Sequence, residues 1–175
     1  SAMRRSLASM LRPAAEADRD RVLAWRNHPQ VRAVSLTQHE ITPAEHAAWW
    51  DRALADPTRR VLIYERDGVP SGVVTFFDLD AAARSGWWGY YLDNAGLEER
   101  GAMFPAWIAI QREAVRYARD ELRLATLDAE TLAGNAAVVE FNARQGFAEV
   151  GRGVRHLDGV PTEVVHTRRV FEENR

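Results

Sequence analysis

Residues 60–122 constrain the fold most, because they hold three strand-like runs followed by one long amphipathic helix. Val61, Leu62, Ile63 and Tyr64 fill the run 60–65. Asp67-Gly68 follows, a strong two-residue hairpin signal. The run 71–79 is rich in Val, Thr and Phe, as a pleated, half-buried surface requires. The run 86–92 is dense in Trp and Tyr. Three such runs read as an antiparallel meander. In 104–122, Phe104, Trp107, Ile108, Ala114, Val115, Ala118 and Leu122 recur at helical spacing, which sets Arg112, Glu113, Arg116 and Arg119 toward water.

The flanks complete the order. A strand over about 6–12 ends at Pro13. A helix over about 15–27 takes its bulk from Leu23 and Trp25 and turns Asp18, Arg19 and Asp20 outward. His28-Pro29 breaks it, since a residue before proline avoids the helical region. The stretch to Ile41 reads as loop or broken helix. Thr42 caps the next helix, with Pro43 at its first position and Glu45 as reciprocal partner. That helix stops near Asp56-Pro57. Beyond the long helix come a strand over 124–129 and a helix over 136–145 opened by Asn135 and closed by Gly146. Two strands, 147–156 and 163–171, are joined at Asp158-Gly159. This alternation describes a mixed α/β fold in one domain, taken as 3–175, with Ser1-Ala2 read as a tag remnant.

Composition closes off several chemistries. The net charge of −2 gives no broad basic surface for nucleic acid. There is no cysteine, hence no thiol nucleophile, disulfide or cysteine–zinc site. Five histidines lie far apart in sequence, so no metal is expected. No apolar run approaches the roughly 18 residues needed to cross a bilayer. A cytoplasmic protein is expected, without nucleic-acid or membrane partners; a homodimer is left open.

Asn135 to Phe147 reads Asn-Ala-Ala-Val-Val-Glu-Phe-Asn-Ala-Arg-Gln-Gly-Phe. With the order of elements, it resembles the GNAT-type N-acetyltransferases, in which Asn opens a helix that Gly-Phe closes. The resemblance implies a mixed, mostly antiparallel sheet of about seven strands flanked by about four helices. It implies transfer of an acyl group from acetyl-CoA to a primary amine by direct attack. The set Trp25-Arg26-Asn27-His28-Pro29, Val31-Arg32, Glu40-Ile41-Thr42, Glu45-His46 and Trp49 is similar to the branch that acetylates the 4-amino group of a nucleotide-linked amino sugar. Related branches acetylate aminoglycosides or protein N-termini.

Two departures from the family pattern stand out. Most members carry Arg/Gln-x-x-Gly-x-Gly/Ala ahead of the long helix, where backbone N–H groups hold the coenzyme A pyrophosphate. Here the stretch is Arg100-Gly101-Ala102-Met103-Phe104-Pro105, and Pro105 removes one donor. Asn142 stands where many members have the tyrosine that protonates the leaving thiolate. Both departures keep open a non-catalytic binding module, and the altered loop also admits a longer acyl donor.

The chemistry asks for a base to take the ammonium proton and a donor for the thioester oxygen. His46 is the first candidate base, by its unperturbed pKa of about 6.5. The resemblance places the oxygen-binding N–H near Tyr91 or Leu92. It assigns Arg100, Gly101, Ala102, Met103, Asn135, Asn142 and Arg144 to coenzyme A. For the acceptor the candidates are Arg26, Asn27, His28, Glu45, His46, Trp49, Asp78 and Trp88. Arginines suit a diphosphate and tryptophans a sugar or base face.

Overall fold

The computed structural model describes residues 9–172. A seven-stranded sheet runs in the order β1-β2-β3-β4-β5-β7-β6. Its strands are β1 (Ser9–Pro13), β2 (Arg60–Arg66), β3 (Val69–Asp80), β4 (Ser85–Leu92), β5 (Thr126–Leu132), β6 (Ala148–Leu157) and β7 (Val160–Val170). All neighbours are antiparallel except β4 and β5. Six helices accompany them among the described residues: α1 (Arg19–Arg26), α2 (Pro29–Ala33), α3 (Pro43–Ala55), α4 (Asn94–Glu99), α5 (Met103–Asp120) and α6 (Ala136–Arg144). The part of the first expected strand before Ser9 lies outside the described residues.

Strand alternation sorts the core into two layers. Val61, Ile63 and Val73 face α1 and α3, packing on Val22, Trp25, Trp50 and Ala53. Leu62, Tyr64, Val74, Phe76, Trp88 and Leu92 face α5, meeting Ala106, Ile110 and Ala114. Gly72 permits this second contact: a Cβ there would lie 2.9 Å from the Tyr91 carbonyl oxygen and 3.0 Å from Ile110 Cδ1.

Several sequence expectations change. The segment 28–41, open between loop and broken helix, holds the short α2, which His28 caps through Nδ1, accepting from the Gln30 N–H at 3.2 Å. The helix α4, which was not expected, is capped by Asp93. Asp18 is buried rather than outward, held by Arg12 and Arg21. Glu113 is buried beside Arg116. Phe104, counted in the apolar stripe, is 67% exposed at the start of α5. The Thr42 cap accepts from the Glu45 N–H at 3.2 Å, but the Glu45 carboxylate turns to His39 instead of closing a capping box. Asn135 precedes α6 without a side-chain capping bond.

Candidate active site

β4 and β5 run parallel and pair only over Ser85–Trp87 and Thr126–Asp128. Beyond that point they part, and a cleft of about 510 Å³ opens between them. β4 contributes Trp88 to Leu92, and β5 contributes Ala129, Glu130 and Thr131. Arg26, Trp49 and residues of 30–41 line one side, while Met103, Trp107, Asn135 and Asn142 line the other.

The parted strands leave backbone groups of β4 without a strand partner. The Asp93 N–H donates to the Ser71 carbonyl on β3 at 2.8 Å. By alternation the Tyr91 N–H turns the same way, toward β3, and the Leu92 N–H points into the opening. Of the two residues expected to offer an oxygen-binding donor, Leu92 therefore has the orientation and Tyr91 does not. Tyr91 lines the cleft through its ring, and burial raises its pKa.

At the head of α5, Gly101 takes φ +65° in the turn after Arg100. The Ala102 N–H is used by the Leu97 carbonyl, and the Ala106 N–H starts the helical ladder on Ala102. Pro105 has no N–H, so Met103 and Phe104 supply the first-turn donors that remain. Arg100 reaches the Ser71 hydroxyl at 3.2 Å. Asn142 is buried in the cleft wall, and its Oδ1 has no partner among the described residues. A partnerless buried acceptor in a cleft wall suits the N–H groups of an elongated amide-bearing ligand such as coenzyme A. Arg144 lies outside this wall, exposed and paired with Glu140 at 2.6 Å.

His46 is not placed to serve as base. It is 1% exposed and absent from the cleft lining. Its Nε2 lies 2.8 Å from the Arg19 carbonyl, which can only accept, so Nε2 carries the proton. Nδ1 then accepts from Arg26 Nη1 at 3.1 Å. Burial lowers the His46 pKa, with neighbouring Arg26 and Arg19 adding to that and the Arg19 carbonyl bond opposing it. His46 thus positions Arg26, whose guanidinium lies 4.9 Å over the Trp49 ring in the cleft.

The lowered pKa has a stability consequence. Below about pH 6.5 the unfolded chain binds a proton at this histidine that the folded chain refuses. The melting temperature is therefore expected to fall as pH drops below that value, more steeply in wild type than in His46→Gln. His39 acts in the opposite sense, since bonds to Glu45 and Asp158 raise its pKa. Because His39 is common to both proteins, the difference between their pH–Tm curves isolates His46, and parallel curves would sink the assignment.

The other expected acceptor residues divide. Trp49 and Trp88 line the cleft, and Trp88 stacks between Tyr90 and Phe147. Asn27 instead clamps Ile41, donating to its carbonyl and accepting from its N–H, both at 2.8 Å. His28 is a helix cap, Glu45 serves His39, and Asp78 is exposed at a β3 irregularity with φ +49°.

The bonding of Tyr90 and the place of Glu130 were not read from sequence. Tyr90 accepts bonds from Trp107 Nε1 at 2.8 Å and Gln111 Nε2 at 2.6 Å. Burial pushes its pKa up to about 12, against those two bonds, so it keeps its proton at neutral pH. Alternation along β4 sets Tyr90 and Tyr91 on opposite faces, which turns Tyr90 toward α5. Among the described residues no group of three His, Cys, Asp or Glu side chains is placed to hold a metal. Among the described residues no helix is long and apolar enough to cross a membrane.

Comparison with known proteins agrees with this geometry. Residues 9–148 match the acetyltransferase (GNAT) domain family. A spermidine N-acetyltransferase from Vibrio cholerae, solved with CoA and spermine, superposes with a TM-score of 0.78 at 18% identity, over 93% of this chain and 95% of that one. A putative phosphinothricin N-acetyltransferase gives 0.72 at 22% identity, over 94% and 99%. A probable acetyltransferase gives 0.71 at 20%, over 93% of each. A search among curated proteins finds no match. The family match spans most of the chain and the parted strands lie inside it, so the protein belongs to the GNAT acetyltransferase family and is an N-acetyltransferase with acetyl-CoA as cosubstrate.

Proposed function

We propose that the chain acetylates a primary amine carried by an anionic small molecule, most concretely the amino group of a nucleotide-linked amino sugar. The observation that carries this reading is Arg26, fixed by His46 and spread over Trp49 on the side of the cleft away from α5. A guanidinium held over an aromatic ring, with one Nη1–H given to His46, keeps its other donors for a phosphate. No carboxylate from α1, α2 or α3 lines the cleft, so that side offers nothing to a polycation. Spermidine, the substrate named for the Vibrio cholerae neighbour, is accordingly not expected to be the acceptor here.

Bound acetyl-CoA supplies an electrophilic thioester carbonyl. The residues that would hold it are Leu92, Met103, Phe104 and Asn142 through the groups described above. Tyr90 and Trp107 form the wall beside them.

Calorimetric titration with acetyl-CoA, followed by CoA-release assays on a panel of amines, tests the reading. The absence of cysteine leaves no protein thiol to obscure the released CoA. Micromolar binding and preferential turnover of nucleotide amino sugars are expected. Preferential turnover of spermidine or an aminoglycoside would overturn it.

A further inference from the structure

We propose that Glu130 on β5 is the group that accepts the proton of the substrate ammonium. This rests on the acetyltransfer to a charged amine set out above. Among the described residues lining the cleft, Glu130 is the only carboxylate, and no histidine lines it. Its place follows from the strand geometry: the β4–β5 ladder ends at Asp128, and Glu130 is the next residue on the same face, where the strands have separated.

The carboxylate is fixed before any substrate arrives. Arg155 on β6 donates Nε to Oε1 at 2.6 Å and Nη2 to Oε2 at 3.0 Å. Each oxygen keeps a further lone pair for water or substrate. The side chain is 14% exposed, and Glu130 is among the residues that line the cleft. Behind it, the register partner of Glu130 on β7 is His166, which shares Asp128 with Arg168. These ion pairs compensate one another's charge and hold the wall rigid.

The step balances as follows. The ammonium gives one proton to Glu130, directly or through one water. The neutral nitrogen forms the new C–N bond as the C–S bond breaks, and its second proton passes to the sulfur. Glu130 returns its proton to solvent. The two tyrosines of the cleft cannot do this work, because both are held protonated.

Glu130→Gln keeps the shape and one of the two bonds from Arg155, so it should fold normally and bind acetyl-CoA with unchanged calorimetric affinity. With a nucleoside diphosphate 4-amino sugar as acceptor, its kcat/KM is expected to fall about 100-fold near pH 7, the scale of a lost general base. The deficit should shrink as pH approaches the pKa of the amine itself, where the acceptor arrives already neutral. Wild-type-like turnover by Glu130→Gln at pH 7, or a deficit that stays constant with pH, would overturn the assignment. Failure of the wild-type protein to acetylate any amine in the panel would instead overturn the reading beneath it.

Discussion

Trp50→Ala is expected to destabilise the protein by about 3–5 kcal/mol, the range for emptying a buried aromatic site. Trp50 is 0% exposed, and it fills the space between α3 and the β2–β3 ladder with Val22, Trp25, Ile63 and Val73. Main-chain ladders on the sheet side limit how far that space can collapse. Its Nε1 is buried without a partner among the described residues. Trp50→Phe removes that unsatisfied donor along with part of the packing, so it should fall well short of the alanine loss. Guanidinium unfolding gives the comparison, provided the denaturant slope is unchanged. An alanine variant within about 1 kcal/mol of wild type would mean that the α1–α3 layer is not the rigid support described above.

Arg26→Ala should reduce kcat/KM for an anionic acceptor by roughly ten- to a hundredfold, the equivalent of one hydrogen bond to a charged group at about 1.5–3 kcal/mol. Acetyl-CoA affinity should not change, because Arg26 lies across the cleft from α5 and Asn142. Arg26→Lys should recover little, since an ammonium neither spreads over Trp49 nor offers a two-pronged donor. The deciting comparison is an uncharged amine acceptor: an equal loss there would assign Arg26 to architecture instead of to anion recognition.

Much of the architecture was legible because it rests on local signals. The alternation of 60–92, the Asp67-Gly68 turn and the amphipathic period of 104–122 each specify an element without reference to distant residues. What escaped was tertiary. Asp18 reads as a solvated helix residue until β1 brings Arg12 to it. Likewise α2 and α4 are single turns whose apolar content is too short to show a period.

At the site the limit was the same. Residue type singled out His46, since a histidine near neutral pKa suits proton transfer. Burial and the Arg19 carbonyl then gave it a positioning role. Glu130 is an ordinary strand carboxylate in sequence. Its candidacy depends on where the β4–β5 ladder stops, a fact carried by no single residue. Arg26, Trp49 and Trp88 were found because their side-chain chemistry is itself the signal.

The separation of β4 from β5 also bears on how the protein avoids its own kind. A sheet with a gap in its middle has two interior edges in addition to its outer ones, and unpaired edges invite stray strands and fibril growth. Here those edges lie at the bottom of a cleft walled by Trp49, Trp107 and Met103. A neighbouring sheet is too broad to follow them down, since each added strand occupies about 4.8 Å and brings side chains on both faces. Only a slender, flexible guest can read that backbone, so the feature that exposes peptide groups for recognition is also shielded from aggregation by its depth.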